Sequence, residues 1–179
     1  MPNGDLFKTL RRGEAEVVTD HIERFTKTGI LLKSGQELEA DIIITATGLN
    51  IQMLGGVEGT IDGKPVEPRE ALVYKGMMLR DVPNMALVFG YTNSSWTLKA
   101  DLVCEYVCRL LNHMEKTGAQ TVTPRDKDNC ITDENFLGMQ SGYIQRANDR
   151  LPRQGSKQPW MVVQNYMVDL PKLRFGAID

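Results

Sequence analysis

The stretch “DVPNMALVFGYTNSSWTLKADLVCEYVCRLLNHMEKTG”, residues 81–118, joins a short apolar run to a long amphipathic segment through a polar turn. The run at residues 85–89 predicts a short strand, and Gly90 ends it. Apolar side chains then recur at helical spacing. They are Val103, Tyr106, Val107, Leu110, Leu111 and Met114. Gly118 suits the C′ position that follows a helix. The stretch therefore predicts a strand, a tight polar turn and a long buried helix.

The polar turn is the first candidate site. Thr92, Asn93, Ser94 and Ser95 are four successive candidate N-caps. A helix N-terminus offers unpaired N–H groups and a partial positive charge, so it suits an anion or a carbonyl oxygen that gathers negative charge. Trp96 adds a flat apolar surface with one donor. A well-capped structural helix accounts for the same residues equally well, so both interpretations stay open.

A second candidate site is “DIIITATGLN”, residues 41–50. The apolar run at residues 42–44 predicts a strand buried on both faces. Gly48 follows it, and a glycine there allows a positive φ or a close approach of backbone to a ligand at the carboxyl end of the strand. An ordinary tight turn is the alternative explanation of the same residues.

The rest of the chain predicts further short elements. Alternation of apolar and polar residues from Val17 in “AEVVTDHIERF” favours a half-buried strand, and Ser34-Gly35 predicts a turn between two more strands of a small meander. The sequence “IDGK” at residues 61–64 predicts a hairpin turn. Short helices are predicted within “SGYIQRANDRL” (141–151) and “VVQNYMVDL” (162–170). The expected fold class is therefore α/β.

Composition narrows the class of protein. The 179 residues are 41% hydrophobic and 25% charged, which is ordinary for a globular protein. A net charge of −2 argues against nucleic-acid binding. No apolar run approaches the roughly 20 residues of a membrane helix, and the first ten residues contain no signal-peptide core. Three cysteines, an odd and small number, indicate a reducing compartment, and we expect the cytoplasm.

The chain offers few candidates for metal binding or acid–base chemistry. Cys104 and Cys108 lie four residues apart, but no second pair at zinc spacing accompanies them, so we expect buried small side chains and no metal site. Neither His21 nor His113 lies near a recognisable nucleophile. We therefore expect no catalytic acid, base or nucleophile in this chain.

Taken in order, the two candidate sites resemble a known enzyme family. “DIIITATG” resembles the Asp-x-x-x-x-Ala-Thr-Gly motif of flavin-containing and Baeyer–Villiger monooxygenases. “VPNMALVFGYTNSSWTLKADLVCEYVCRLLNHM” is similar to the return strand and the flavin-proximal helix of the same enzymes. “PNGDLF”, “IERFTKTGI”, “YKGMML” and “LPRQG” extend the resemblance almost end to end. It is closest to the branch that activates the thioamide prodrug ethionamide.

The resemblance implies the C-terminal portion of a flavoprotein with two dinucleotide-binding domains and incomplete Rossmann-like sheets. Residues 1–47 would be the remnant of the NADP-binding domain. Residues 48–179 would be the returning C-terminal part of the FAD-binding domain, with a tail. The chain contains neither of the G-x-G-x-x-G loops that these enzymes use for FAD and NADP. We therefore expect the chain to be inactive alone.

The resemblance also implies a reaction and its site residues. The intact enzyme would use FAD and NADPH to insert one oxygen atom of O2 into a ketone, or to oxidise the sulfur of a thioamide or sulfide. Trp96 and Leu98 would help to wall the substrate space. The cofactor-binding residues would be Thr47, Gly48, Asn93, Ser94, Ser95, Trp96 and Thr97.

Two alternatives stay open. In the first alternative, the chain is a non-catalytic fragment that binds no flavin. Open strand edges and an uncovered apolar face would then let it associate with itself or with a complementary fragment. In the second, it would come from another two-dinucleotide flavoprotein such as a disulfide reductase. The absence of a Cys-x-x-Cys pair argues weakly against the latter.

Overall fold

Small antiparallel sheets and short helices make up the computed structural model, which describes residues 2–139 and 141–178. The chain separates into two units, Met1–Thr47 and Gly48–Asp179. Helices and strands are mixed, as expected, but the sheets formed by the described residues are antiparallel and have only two or three strands each. The expected Rossmann-like sheets are not seen there. The assignment of the two units to NADP- and FAD-binding domains stays a prediction.

The first unit contains a helix and the predicted meander. The elements are α1 (Asp5–Arg11), β1 (Ile22–Phe25), β2 (Gly29–Leu32) and β3 (Glu37–Glu39). The three strands pair antiparallel in the order β1-β2-β3. The expectation of a half-buried first strand is wrong, because all four residues of β1 are exposed. Burial in this sheet falls on β2 instead, where Gly29 and Leu32 are buried.

The predicted buried strand at residues 42–44 is also not formed. These residues lie outside any helix or strand. Ile42 is 80% exposed and Ile44 is 86% exposed. An apolar run becomes a buried strand only when neighbouring strands pair with its backbone and other layers cover its faces. Within the described residues no strand pairs with it.

The strand predicted at residues 85–89 is missing for the same reason. Met85, Leu87 and Phe89 are partly buried against the core, whereas Ala86 and Val88 are exposed, so burial alternates as it would in a strand. The Leu87 N–H donates to the carbonyl of Met77 at 2.6 Å, but no ladder forms. The predicted strand is therefore wrong, although the burial of its side chains alternates.

The described part of the second unit contains three two-stranded antiparallel sheets, two of them hairpins, and three α-helices. Asp62 and Gly63 have φ of 51° and 78° at the tip of the first hairpin, which confirms the turn predicted at “IDGK”. The strands are β4 (Thr60–Ile61), β5 (Lys64–Pro65), β6 (Val73–Tyr74), β7 (Met78–Leu79), β8 (Ile131–Asn135) and β9 (Arg153–Gly155). The helices are α2 (Trp96–Thr117), α3 (Gly142–Ala147) and α4 (Tyr166–Arg174).

Helix α2 confirms the helical periodicity that predicted it, except that Leu111 is 57% exposed and lies off the buried stripe. Leu102, Val103, Tyr106 and Leu110 are buried and pack with residues of the β6–β7 hairpin and of α4. A second apolar cluster surrounds Leu79, Phe136, Ile144 and Leu151. None of the helices described here is long and apolar enough to cross a membrane.

The two short helices predicted in the tail are present. Helix α3 lies within the predicted segment, and a 3-10 turn, Asn148–Arg150, follows it. Helix α4 begins later than expected because the Asn165 side chain caps it, accepting from the N–H groups of Met167 and Val168. It then continues beyond the predicted end, to Arg174.

Replacement of Gly118 by alanine tests the C-terminal end of α2. Gly118 has a φ of 71°, and its N–H donates to the Glu115 carbonyl. Because a Cβ disfavours this left-handed conformation, we expect Gly118→Ala to lower the free energy of unfolding by about 1 kcal/mol in urea titrations. Gly118→Asn is the matched control and should cost less, since asparagine tolerates positive φ. Equal stability of the alanine variant and the parent would contradict this account.

Candidate functional site

The start of α2 is an exposed helix N-terminus without a side-chain cap. Ser95 occupies the N-cap position, yet its side chain makes no capping hydrogen bond. Its Oγ lies 2.8 Å from Oγ1 of Thr97 instead. Residues 93–97 are all exposed. The N–H groups of the first turn therefore lack both an intrahelical partner and a capping side chain, which leaves them able to bind an acceptor.

The turn that precedes α2 is held by the segment in front of α4. The Asn93 side-chain amide donates to the Gln164 carbonyl at 2.9 Å. The Thr92 N–H donates to Oε1 of Gln164 at 3.1 Å. Two hydrogen bonds to one residue thus fix the backbone immediately before the helix start. Of the four candidate caps, Ser95 takes the N-cap position and Asn93 serves as a tether.

Trp96 and Leu98, the residues predicted to wall a substrate space, are both exposed, at 62% and 38%. The Trp96 indole lies directly against Gly90. Any Cβ at Gly90 would clash with the indole ring, so this position requires glycine for close approach. The sequence explained Gly90 only as the end of a strand.

Thr47 and Gly48 lie at the boundary between the two units. Gly48 has a φ of +98°, so the positive φ predicted for it is present. A Cβ at Gly48 would lie 3.6 Å from Nη2 of Arg146 and 3.7 Å from Cβ of Tyr143. Gly48 therefore lies beside α3, whereas residues 93–98 lie at the start of α2. The cofactor-binding role of these residues stays a prediction.

A buried cluster of polar side chains was missed by the sequence analysis. Lys99, in the first turn of α2, is only 4% exposed, and its Nζ lies 2.6 Å from Oδ2 of Asp169 in α4. The Tyr91 hydroxyl donates to the same oxygen at 2.8 Å. Burial raises the pKa of Tyr91 strongly, and its hydrogen bond to Asp169 raises it further. Asp169 is thus a buried acceptor with two donors.

The sequence did contain a signal for this cluster. Lys99 precedes Val103, Tyr106 and Leu110 by four, seven and eleven residues, so it lies on the buried stripe of α2. A lysine on the apolar stripe of a helix requires a buried partner. The acid could not be identified because it lies 70 residues further along the chain.

Further contacts join α2 to α4. Arg174 donates to both carboxylate oxygens of Glu105 at 2.6 Å. This pairing holds the pKa of Glu105 below its ordinary value. Arg109 donates to the carbonyls of Leu173 and Gly176 at 2.8 and 2.6 Å. Three positions along α2 therefore bind α4 and the residues that follow it.

The cysteines differ from expectation. Cys104 and Cys108 were expected to be buried, but both thiols are exposed because they lie off the buried stripe of α2. Cys130 is buried, and desolvation raises the pKa of its thiol, with Asp126 adding to the effect. In the described ranges, no group of three or more His, Cys, Asp or Glu side chains is placed to hold a metal ion.

Comparison with known proteins shows which proteins the sequence is similar to. It is 55% identical to the FAD-containing monooxygenase EthA of Mycobacterium tuberculosis over 179 residues, which is all of this chain and 37% of EthA. The chain is therefore similar over its whole length to a protein described as an FAD-containing monooxygenase. It is 54% identical to EthA of Mycolicibacterium smegmatis over 178 residues, which cover 99% of this chain and 36% of that protein. Identity to the “Probable FAD-binding monooxygenase AlmA” of Acinetobacter baylyi is 50% over 180 residues, covering 100% of this chain and 36% of AlmA.

These matches confirm the resemblance to the C-terminal portion of EthA-like monooxygenases. The chain spans little more than a third of the length of the curated relatives that it matches. No protein-family model matches the chain, and no solved structure matches it significantly.

The contribution of the buried Lys99–Asp169 ion pair to the free energy of unfolding can be measured. Lys99→Met leaves the Asp169 carboxylate buried without its cation, so we expect a loss of about 3–5 kcal/mol in the free energy of unfolding. The control is Arg125→Met. Its guanidinium lies equally close to Asp81, at 2.6 Å, but the two side chains are 65% and 54% exposed, so that loss should stay below about 1 kcal/mol.

The double variant Lys99→Met/Asp169→Leu completes the test. Removal of both charges should recover more than half of the stability lost in Lys99→Met, because no unpaired charge then remains buried. Urea titration of the three variants gives the comparison. A loss in Lys99→Met as small as that in Arg125→Met would show that the pair contributes little.

Proposed function

We propose that this chain forms one part of the flavin site of an FAD- and NADPH-dependent monooxygenase. The observation that carries the proposal is the 55% identity, over the whole chain, to a protein described as an FAD-containing monooxygenase. The exposed start of α2 supports it, because that is where the family resemblance expects the flavin.

The residues at the start of α2 have the chemistry that a flavin requires. The pyrimidine edge of the flavin carries carbonyl oxygens and gathers negative charge on reduction. The N–H groups of the first turn, with no capping side chain at Ser95, would donate to that edge, and the helix dipole would stabilise the charge. The hydroxyls of Ser94, Ser95 and Thr97 and the amide of Asn93 add further polar groups around it.

Trp96 and Leu98 would supply the apolar part of the site. Both side chains are exposed beside the donors of the first turn. An apolar wall next to the flavin would exclude water and bind the hydrocarbon part of a ketone, thioamide or sulfide. Thr47 and Gly48 would lie near the cofactors, with the positive φ of Gly48 allowing backbone to approach them.

When bound, FAD reduced by NADPH would activate O2 and supply the oxygen-transfer chemistry. The residues of this chain would orient the flavin, stabilise its charge and enclose the substrate. None of them is proposed as an acid, a base or a nucleophile. The cytoplasm remains the proposed location, on the cysteine usage alone.

The isolated chain is proposed to hold no flavin. Its sequence contains no glycine-rich loop that could bind the phosphates of a dinucleotide. The alternative function, a non-catalytic fragment that associates with itself or with a complementary fragment, is favoured by one observation. The apolar residues 42–44 are exposed and unpaired, and such a segment can pair with another chain.

A chimera with EthA tests the proposal. The chain replaces the matching segment of Mycobacterium tuberculosis EthA, and both the chimera and the isolated chain are incubated with FAD and desalted. We expect the chimera to keep the yellow flavin absorbance and to lose it on addition of NADPH, because EthA supplies the missing loops. The isolated chain should keep none. A folded chimera that binds no flavin would contradict the proposal, and flavin retained by the isolated chain would contradict its dependence on the missing loops.

A charge placed at the start of α2 tests which residues face the flavin. In the chimera, Thr97→Asp introduces a carboxylate where the reduced flavin gathers negative charge, so we expect the two-electron midpoint potential to fall by about 30 mV or more. Thr117→Asp, at the other end of the same helix, is the matched control and should leave the potential unchanged. Equal potentials for the two variants would place the flavin away from the start of α2.

A further inference from the structure

A cleft of about 350 Å³ lies within the second unit, and residues 93–98 are not among those that line it. It is bounded by the turn between β6 and β7, by α2, by α4 and by residues 158–163. Its volume is near the lower end of the range of ligand sites, roughly 300–1,000 Å³. The size suits a small organic molecule.

The charges around this cleft are unbalanced. Lys75, Lys99 and Lys172 line it, and Asp169 is the one acidic side chain among its lining residues. Lys75 donates to the Tyr106 hydroxyl at 3.1 Å and to the Ala177 carbonyl at 3.0 Å, two acceptors without formal charge. The lining therefore carries two more positive than negative charges, and the Lys75 and Lys172 ammonium groups form no ion pair with the described acidic residues.

Lys99 provides buried donors at this cleft. An ammonium group has three donors, and the described hydrogen bond of Lys99 Nζ, to Asp169, uses one of them. Lys99 is only 4% exposed, and its Nζ lies 5.4 Å from the centroid of the Tyr91 ring. Gly76 leaves space beside it, since a Cβ there would lie 3.4 Å from Nζ. An acceptor inside the cleft would satisfy donors that are costly to bury unpaired.

The walls of the cleft are apolar. Tyr74, Pro159, Val162, Val163 and Leu173 contribute side chains to them, and Met161 lies at the same surface. A strongly hydrated polyanion such as a triphosphate would lose its water against these walls with only three cations to replace it. A single carboxylate with a hydrocarbon body matches both the charge and the walls.

We propose that this cleft binds a small carboxylate that carries an apolar group. The carboxylate accepts from the ammonium groups of Lys99 and Lys172, and the hydrocarbon body lies against Val163, Leu173 and Pro159. Asp169 holds Lys99 in place and binds no ligand itself. The site uses none of the residues proposed for the flavin, so the test of this proposal is independent of the test of the proposed function.

Binding of hexanoate to the purified chain tests this proposal. Titration calorimetry compares hexanoate with hexanamide, which has the same hydrocarbon body and no charge. We expect saturable binding of hexanoate at least about tenfold tighter than that of hexanamide, because a charge-assisted hydrogen bond is the stronger kind. Equal affinities would overturn the assignment of an anion site, and an absence of saturable hexanoate binding would overturn the cleft as a site altogether.

Two pairs of variants locate the binding. Ala177→Phe fills the cleft from its exposed rim and removes no charged side chain, so it should abolish hexanoate binding. Ala119→Phe, at an exposed position outside the lining, should leave hexanoate binding unchanged. Lys172→Gln should weaken hexanoate several-fold and leave hexanamide unchanged. Lys127→Gln, an exposed lysine outside the lining, controls for net charge. Identical effects within either pair would show that hexanoate binds elsewhere.

Discussion

The buried ion pair between Lys99 and Asp169 is the contact on which the second unit depends. It joins the first turn of α2 to α4, and the Tyr91 hydroxyl donates to the same carboxylate oxygen. Because an unpaired charge is costly to bury, removal of either partner alone destabilises the packing of α2 against α4. The pair thereby fixes the backbone around residues 91–99, which includes the exposed helix start, and it also forms one end of the cleft between α2 and α4.

One helix therefore serves two surfaces. The inward stripe of α2 carries Lys99 together with the apolar side chains that pack on α4 and the β6–β7 hairpin. Its outward start carries Trp96, Thr97 and an N-cap serine that leaves the first N–H groups uncapped. A stable anchor beside an exposed, uncapped end is the arrangement that a preorganised ligand site requires. We propose a flavin as the ligand of that end, because the chain is 55% identical to a protein described as an FAD-containing monooxygenase.

Local features were predictable from the sequence, whereas long-range pairing was not. The 3.6-residue period and Gly118 predicted α2, and the Asp62-Gly63 turn predicted its hairpin, because each depends on neighbours in the chain. The apolar runs at residues 42–44 and 85–89 predicted strands that do not form here. A strand requires partners, and an apolar run does not reveal whether they are present. The acid that pairs with Lys99 was missed for a similar reason, since Asp169 lies far along the chain.

We propose that the start of α2 faces the pyrimidine edge of a flavin. A crystal structure of the EthA chimera with FAD bound tests it most directly, through the distances from the backbone nitrogens of Trp96, Thr97 and Leu98 to the flavin carbonyl oxygens. We expect at least one of these nitrogen-to-oxygen distances to be about 2.7–3.2 Å. A flavin whose carbonyl edge is bound by other residues, with the start of α2 facing solvent, would contradict it.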